Sequence, residues 1–338
     1  MRTGILLPNR FSATVTGIDD MEKRKTDFRA IVRAYGTIFA LVFVIVIFGI
    51  LNPRAFLSTT NFWNITRQMA ILCIISLGAT LIMSVEEFDL SVGNIASFSG
   101  VLSALLAISG MPFLPALLLS IVLSAVVGFV NGFIVTRFRV MSFIVTLAMG
   151  QVIYGITYWL SDGAIVFNGI PGSFKVLGTG KFGPVPYLTV LMLFAIIVFQ
   201  YLMTRTAMGR KLYAIGGNET ASRVAGIRVN AYKTIAFTIS GAMAGFAGVL
   251  LASRIGSASP TGGDAYMLNS YATIFIGKTL FREGIPNVLG TVVGVALFTI
   301  LANGLTIMQV PTFVQNIVTG VIIVFAVVFQ KMGSGRND

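Results

Sequence analysis

Histidine is absent from this 338-residue chain, cysteine occurs once, and Asp, Glu, Lys and Arg together make up only 11% of it. Without histidine there is no imidazole metal site, no histidine proton relay and no Ser-His catalytic pair. The one cysteine, Cys73, lies in an apolar run, which excludes an intrachain disulfide and offers no thiolate cluster for a metal. A soluble chain carries about 25% charged residues, whereas this one is 56% hydrophobic with a mean hydropathy of +0.89. The polar N-terminal stretch shows no cleavable signal pattern. A nucleotide-binding loop is missing too: Gly277-Lys278-Thr279 ends like one, but the glycine needed at position 272 is Ala272.

The remaining charge is lopsided, 24 Lys and Arg against 12 Asp and Glu. These basic residues are spread through polar loops rather than gathered on one soluble face, which argues against a nucleic-acid partner and for a lipid bilayer. Runs of about 20 apolar residues, each long enough to cross a hydrocarbon core, recur along the chain. Ten segments are expected, near 34–51, 66–85, 90–109, 113–136, 141–160, 186–204, 233–253, 266–281, 287–307 and 313–330. Glycines and polar residues make the third and eighth the weakest. The fold expected is therefore an all-α polytopic membrane protein. With the N-terminus inside, inner regions hold eighteen Lys or Arg and outer regions five (Arg54, Arg67, Lys175, Lys181 and Arg254). The positive-inside rule then places both termini in the cytosol.

Two stretches share a plan. Residues 127–150 and 297–320 each carry an Asn-Gly pair (Asn131-Gly132, Asn303-Gly304) and then Ser/Thr-Phe opening the last span (Ser142-Phe143, Thr312-Phe313). Five spans per half make the copies enter the membrane from opposite sides, the inverted repeat common among transporters. The expected organisation is a cytoplasmic segment 1–33, a first half 34–160, an outer linker 161–185, a second half 186–330 and a tail 331–338. No sizeable outer domain is present, so a solute-capturing domain would be a separate polypeptide.

Residues 204–233 interrupt the second half with six basic residues and one acid, Glu219. Asn218 can cap a short helix from Glu219 to about Ile227, and Gly226 can end it. That fits a cytosolic docking site, and the charge alone fits an ordinary inner loop equally well. Residues 86–100, EEFDLSVGNIASFSG, place Glu86, Glu87 and Asp89 between apolar runs, where charge is costly unless paired or wetted. A cytoplasmic turn with a capping Asp accounts for them; proton coupling is the sharper alternative, and it lacks a matching intramembrane acid in the other half. GxxxG spacings at Gly128/Gly132, Gly241/Gly245 and Gly290/Gly294 are expected to make internal helix contacts.

DLSVG (89–93), GRKLYAIGGNETASRVAGIRV (209–229), SGAMAGFAGVLLASRIGS (240–257) and NGL with TGVIIVFAVV (303–305, 319–328) resemble the permease subunits of bacterial ABC importers of the ribose/galactose class. The likeness runs from about residue 36 to 330. It implies about ten transmembrane helices in two inverted five-helix repeats, in a bacterial inner membrane. It also implies a homo- or heterodimeric permease pair, a periplasmic solute-binding protein, and a cytosolic ATPase that carries the ATP and Mg, with no cofactor on this chain and no catalysis by it. Carried over by position, the ATPase-coupling residues are Gly209, Arg210, Ala214, Gly216, Gly217, Asn218, Glu219, Ala221, Arg223, Gly226 and Ile227. Gly216-Gly217 would form a tight turn, and Arg210 and Arg223 could pair with the partner's acids. Asp89, Ser91, Asn94, Asn131 and Asn303 are candidate path residues, and amides and hydroxyls suit a neutral polyol. An ion-coupled secondary transporter is the alternative. The chain departs from the family at Glu86-Glu87-Phe88, where two glycines and an aliphatic residue are usual, and around Met267–Tyr271 and Lys278. Those departures point to a dissimilar second permease, with Lys278 or Arg282 meeting an acid across the interface.

Overall fold

The computed structural model describes residues 36–280 and 284–334; the inner-face basic residues expected in 1–33, and Arg282 and Arg336, lie outside them. The chain opens with α1 (Gly36–Leu51) and a single turn, α2 (Pro53–Phe56). The long helices α3 (Thr59–Met83), α4 (Val92–Ile108), α5 (Phe113–Phe138) and α6 (Ser142–Leu160) follow. A linker containing a 3-10 turn, the short α7 (Val176–Thr179) and a two-residue hairpin, β1 (Lys181–Phe182) with β2 (Val185–Pro186), leads to α8 (Tyr187–Arg205). Then come α9 (Ala207–Gly217), α10 (Glu219–Val224), α11 (Val229–Ile255), α12 (Asp264–Gly277), α13 (Val288–Ile307) and α14 (Thr312–Ser334).

Six of these helices, α3, α5, α6, α8, α11 and α13, are long and apolar enough to cross a membrane. The weak third and eighth segments correspond to α4 and α12, which have 17 and 14 residues and fall short of a full crossing. Burial sorts the spans into layers. In α3 and α11 the apolar windows are 72% and 67% buried, against 22% in α6. The two therefore form the centre, and α5, α6 and α8 turn Leu114, Phe129, Leu147, Phe194 and Ile197 outward, as lipid contact requires.

Small residues set the helix spacing. Gly128 and Gly132 on α5 pack against Phe237, Gly241 and Thr234 on α11, and Gly290 and Gly294 on α13 against Gly277 and Thr273 on α12. On α11, Gly248 lies so close to α4 that a Cβ would overlap the Ala96 carbonyl. The GxxxG spacings thus make contacts inside the chain.

Two connections fold back into the bundle, which is why α4 and α12 are short. After α3, residues 84–91 double back, with Glu87 N donating to Ile82 O at 3.2 Å. After α11, residues 256–263 return until Gly263 lies against Gly93, its N–H donating to Ser97 Oγ at 2.8 Å. The starts of α4 and α12 therefore meet inside the protein. A solvated turn carrying Asp89 is not what forms: Asp89 is 0% exposed, and of the three acids only Glu86 faces outward. Segment 88–90 survives burial because neighbouring helices satisfy its backbone. Phe88 N donates to Ser142 Oγ, Leu90 N to Thr146 Oγ1, and the Tyr271 hydroxyl bridges Asp89 N and O.

Candidate functional site

The basic segment builds two helices rather than one. Thr206 starts α9, accepting at Oγ1 from Gly209 N at 3.3 Å. Leu212 and Ile215 bury one side of α9 in the core, while Arg210, Ala214 and Gly217 stay exposed on the other. Asn218 ends α9 and caps α10, its Oδ1 accepting from Ala221 N at 2.8 Å. Gly226, at φ 79°, closes α10 with Gly226 N donating to Arg223 O and Ile227 N to Ser222 O, each at 3.0 Å. The helix stops at Val224, three residues before the expected Ile227, because this closing motif uses Gly226 and Ile227 itself.

The expected tight turn at Gly216-Gly217 is replaced by the last turn of α9. Gly216 serves instead for close approach, since a Cβ there would overlap the Ser84 carbonyl at the end of α3. Arg223 is engaged within the chain, its Nη2 lying 2.6 Å from Glu219 Oε1. What α10 offers outward is Ala221, Ala225 and Val224, the last 86% exposed.

A lysine ties this helix pair to the bundle. Lys233, in the first turns of α11, lies 2.6 Å from Glu87 Oε1 and 2.7 Å from Glu219 Oε2. Its side chain is 11% exposed, so both bonds form in a partly dried setting. Hydrogen bonds from Lys233 and Arg223 hold the Glu219 carboxyl below its ordinary pKa. Arg223 reaches on to Asn230 Oδ1 at 2.9 Å, and Asn230 Nδ2 donates to Thr136 O at 3.2 Å. Through Lys233 and Glu87, α10 is joined to segment 87–90 and thence to the start of α4. Sequence reasoning left Glu87 without a role and counted Lys233 only as loop charge. Their separation of 146 positions carried no local signal.

Beyond segment 87–90, the starts of α4 and α12 and the middle of α6 line a cavity of about 380 Å³. Leu90, Asn94, Leu147, Gln151, Tyr154, Asp264 and Met267 form its walls. Gln151 lies midway along α6, in a span whose other outward groups are mostly apolar. Of the five path candidates only Asn94 lines this cavity. Asp89, Ser91 and Asn131 stand behind it as a buried chain: Asn131 Nδ2 donates to Ser91 Oγ at 2.9 Å, and Ser91 N–H and hydroxyl both donate to Asp89 Oδ1. Asn303 is elsewhere, in a reciprocal amide pair with Asn61 at 3.0 Å in each direction. Gln151, Tyr154 and Asp264 were missed; a lone amide within an apolar span was the available signal for Gln151. Lys278 lies over the Phe275 ring, 5.5 Å from its centroid.

Residues 61–327 match a family described as the branched-chain amino acid transport system / permease component. The chain belongs to that permease family. The permease is 34% identical to the ribose import permease RbsC of Bacillus subtilis, over 93% of this chain and 97% of that protein. It is similar to the D-allose transport system permease AlsC of Escherichia coli at 33%, covering 92% and 95%. To the galactose/methyl galactoside import permease MglC of Escherichia coli it is 31% identical, covering 89% and 95%.

Proposed function

We propose that this permease is the membrane subunit of an ATP-driven ABC importer for a sugar or sugar-like polar solute. Near full-length similarity to permeases named for ribose, allose and galactose supports the sugar class over the amino acids in the broader family description. The observation that carries the mechanism is the α9–α10 pair. Its helices are capped, it exposes a face of small residues, and Lys233 joins it to the segment that opens α4.

Each ATPase of a pair docks on residues 204–233, on the face formed by Ala214, Gly217, Ala221, Val224 and Ala225 around Asn218. Gly209, Arg210 and Ile227 flank it. ATP-driven closure displaces α10, and the ion cluster carries that displacement to segment 87–90 and α4. The solute path runs along the cavity at Asn94, Gln151, Tyr154 and Asp264, where amides, a carboxylate and a ring face meet a polyhydroxy solute. A second permease closes this side-open cavity, and a periplasmic binding protein supplies affinity. ATP and Mg belong to the ATPase, so this chain catalyses nothing. About ten spans in two inverted halves, with both termini cytoplasmic in a bacterial inner membrane, complete the reading. Its support is the meeting of two short helices that begin inside the bundle, the discontinuous geometry of transporter midplanes.

Reconstitution with the cognate ATPase and binding protein tests this. Uptake of D-ribose, D-allose or D-galactose should require ATP on the α10 side, and scrambling 218–227 should abolish uptake while leaving membrane insertion intact. Uptake that persists without the ATPase and follows an ion gradient would instead establish the secondary transporter.

A further inference from the structure

At the end of the bundle remote from α10, two arginines converge on a second cavity. Arg254 lies in the last turn of α11, 25 residues beyond Val229, a rise of about 38 Å at 1.5 Å per residue. Its neighbour Arg67 projects from the first third of α3. With Asn64, Gln68, Gly178 and Thr179 they enclose about 340 Å³. Arg67 Nε and Arg254 Nη1 are both buried without a hydrogen-bond partner. Arg67 Nη1 reaches Asn64 Oδ1 only at a long 3.5 Å. None of the ion pairs among the described residues includes either arginine. A third cation stands close by, since the Lys175 side chain packs over Gly256, two residues beyond Arg254.

This arrangement is costly as it stands. Two guanidiniums facing one cavity repel each other, and each holds a desolvated N–H with nothing to receive it. The linker is also built to keep them there: Gly178 N donates to Ser253 Oγ at 2.9 Å, and Ser253 Oγ donates to Phe174 O at 2.6 Å. These bonds hold the linker wall of the cavity, Gly178 and Thr179, against the end of α11 beside Arg254. Guanidinium forks match the oxygens of a phosphate group, and the side-chain amides of Asn64 and Gln68 add donors, while the Thr179 hydroxyl donates to Lys175 O at 2.8 Å.

We infer that this cavity binds a phosphate-class oxyanion, held between Arg67 and Arg254. The same chemistry is offered by free inorganic phosphate and by the phosphodiester of a phospholipid headgroup, and the experiment separates the two. Purified permease in detergent is titrated with sodium phosphate at constant ionic strength, with chloride as the balancing anion, while thermal unfolding is followed. The wild type should show a saturable rise in Tm at millimolar phosphate. Arg67→Gln and Arg254→Gln should weaken apparent phosphate affinity at least tenfold, and Arg67→Lys, which keeps charge but not the fork, should fall between. In parallel, permease from phosphatidylglycerol nanodiscs is examined by native mass spectrometry. A phospholipid retained by the wild type, lost in both Gln variants and displaced by phosphate identifies the headgroup as the source. Saturable phosphate stabilisation with no retained lipid identifies the free anion. A linear, non-saturating rise of equal size in wild type and variants is a general salt effect and, with no retained lipid, overturns the site. These readouts need no imported solute, so the site can fail while the import function stands, and the reverse.

Discussion

If the Lys233 cluster transmits force, cutting its drier arm should uncouple hydrolysis from import without unfolding the permease. Glu87→Gln is the informative change, because glutamine keeps the shape and one acceptor but removes the charge that Lys233 meets at 2.6 Å. Side chains 11% and 16% exposed put the pair between surface and interior. At an effective dielectric near 20, unit charges ~3 Å apart attract by roughly 5 kcal/mol before desolvation is subtracted. Hydrogen bonds to charged groups return about 1.5–3 kcal/mol net, and that range is the coupling energy expected here. Lys233→Met should cost more than Glu87→Gln, since it strands Glu87 and leaves Glu219 with Arg223 alone. The assay is a double-mutant cycle over Glu87→Gln, Lys233→Met and the pair, scored by unfolding free energy in mixed micelles. In proteoliposomes holding the full importer, solute moved per ATP is measured as well. A coupling energy of about 1.5–3 kcal/mol, with import down roughly tenfold or more while ATP hydrolysis stays within about twofold, is the expected result. Additivity within about 0.5 kcal/mol, or an unchanged ratio of solute to ATP, would refute the link.

Three further expectations follow from single features. Because Lys233 and Arg223 depress the Glu219 pKa, its contribution to holding α10 is fully present above the unfolded carboxylate value near 4.3. It is lost as pH falls through the lower folded value, and Glu219→Gln should erase that acid dependence in amide exchange across α10. Gly248→Ala should push α4 off α11 at the Ala96 carbonyl, costing about 1–3 kcal/mol of stability as overpacking does; an unchanged Tm contradicts this. Glu86 sits in the left-handed region at φ 58°, so Glu86→Gly should be neutral or stabilising by up to about 1 kcal/mol, whereas Glu86→Val should destabilise.

Legibility differed by kind of feature. The apolar runs were readable because hydropathy is a local property: the expected segments 113–136 and 141–160 became α5 and α6 with shifts of one or two residues, whereas α3 starts at Thr59, seven residues before the expected 66, in a polar first turn that hydropathy does not mark. The α10 caps were readable for the same reason, since Asn218 and Gly226 act on residues three to four positions away. Asp89 was misjudged because charge between two apolar runs looks like a surface turn. The arrival of Ser142, Thr146 and Tyr271 from other helices satisfies the buried backbone around it, and its Oδ1 accepts from Ser91.

What the sequence determined alone is the class of molecule, the sites of most of its helices and the capped α10 within the loop proposed to dock an ATPase, since each rests on contacts or transfer energies spanning a few residues. Tertiary structure decided which polar groups work together. Glu87 meets Lys233, Asn94 meets Asp264 across one cavity, Asn61 takes up Asn303, and Arg67 faces Arg254. A polar group inside a membrane protein meets only what the bundle brings to it, and what that is depends on how helices far apart in the chain are packed.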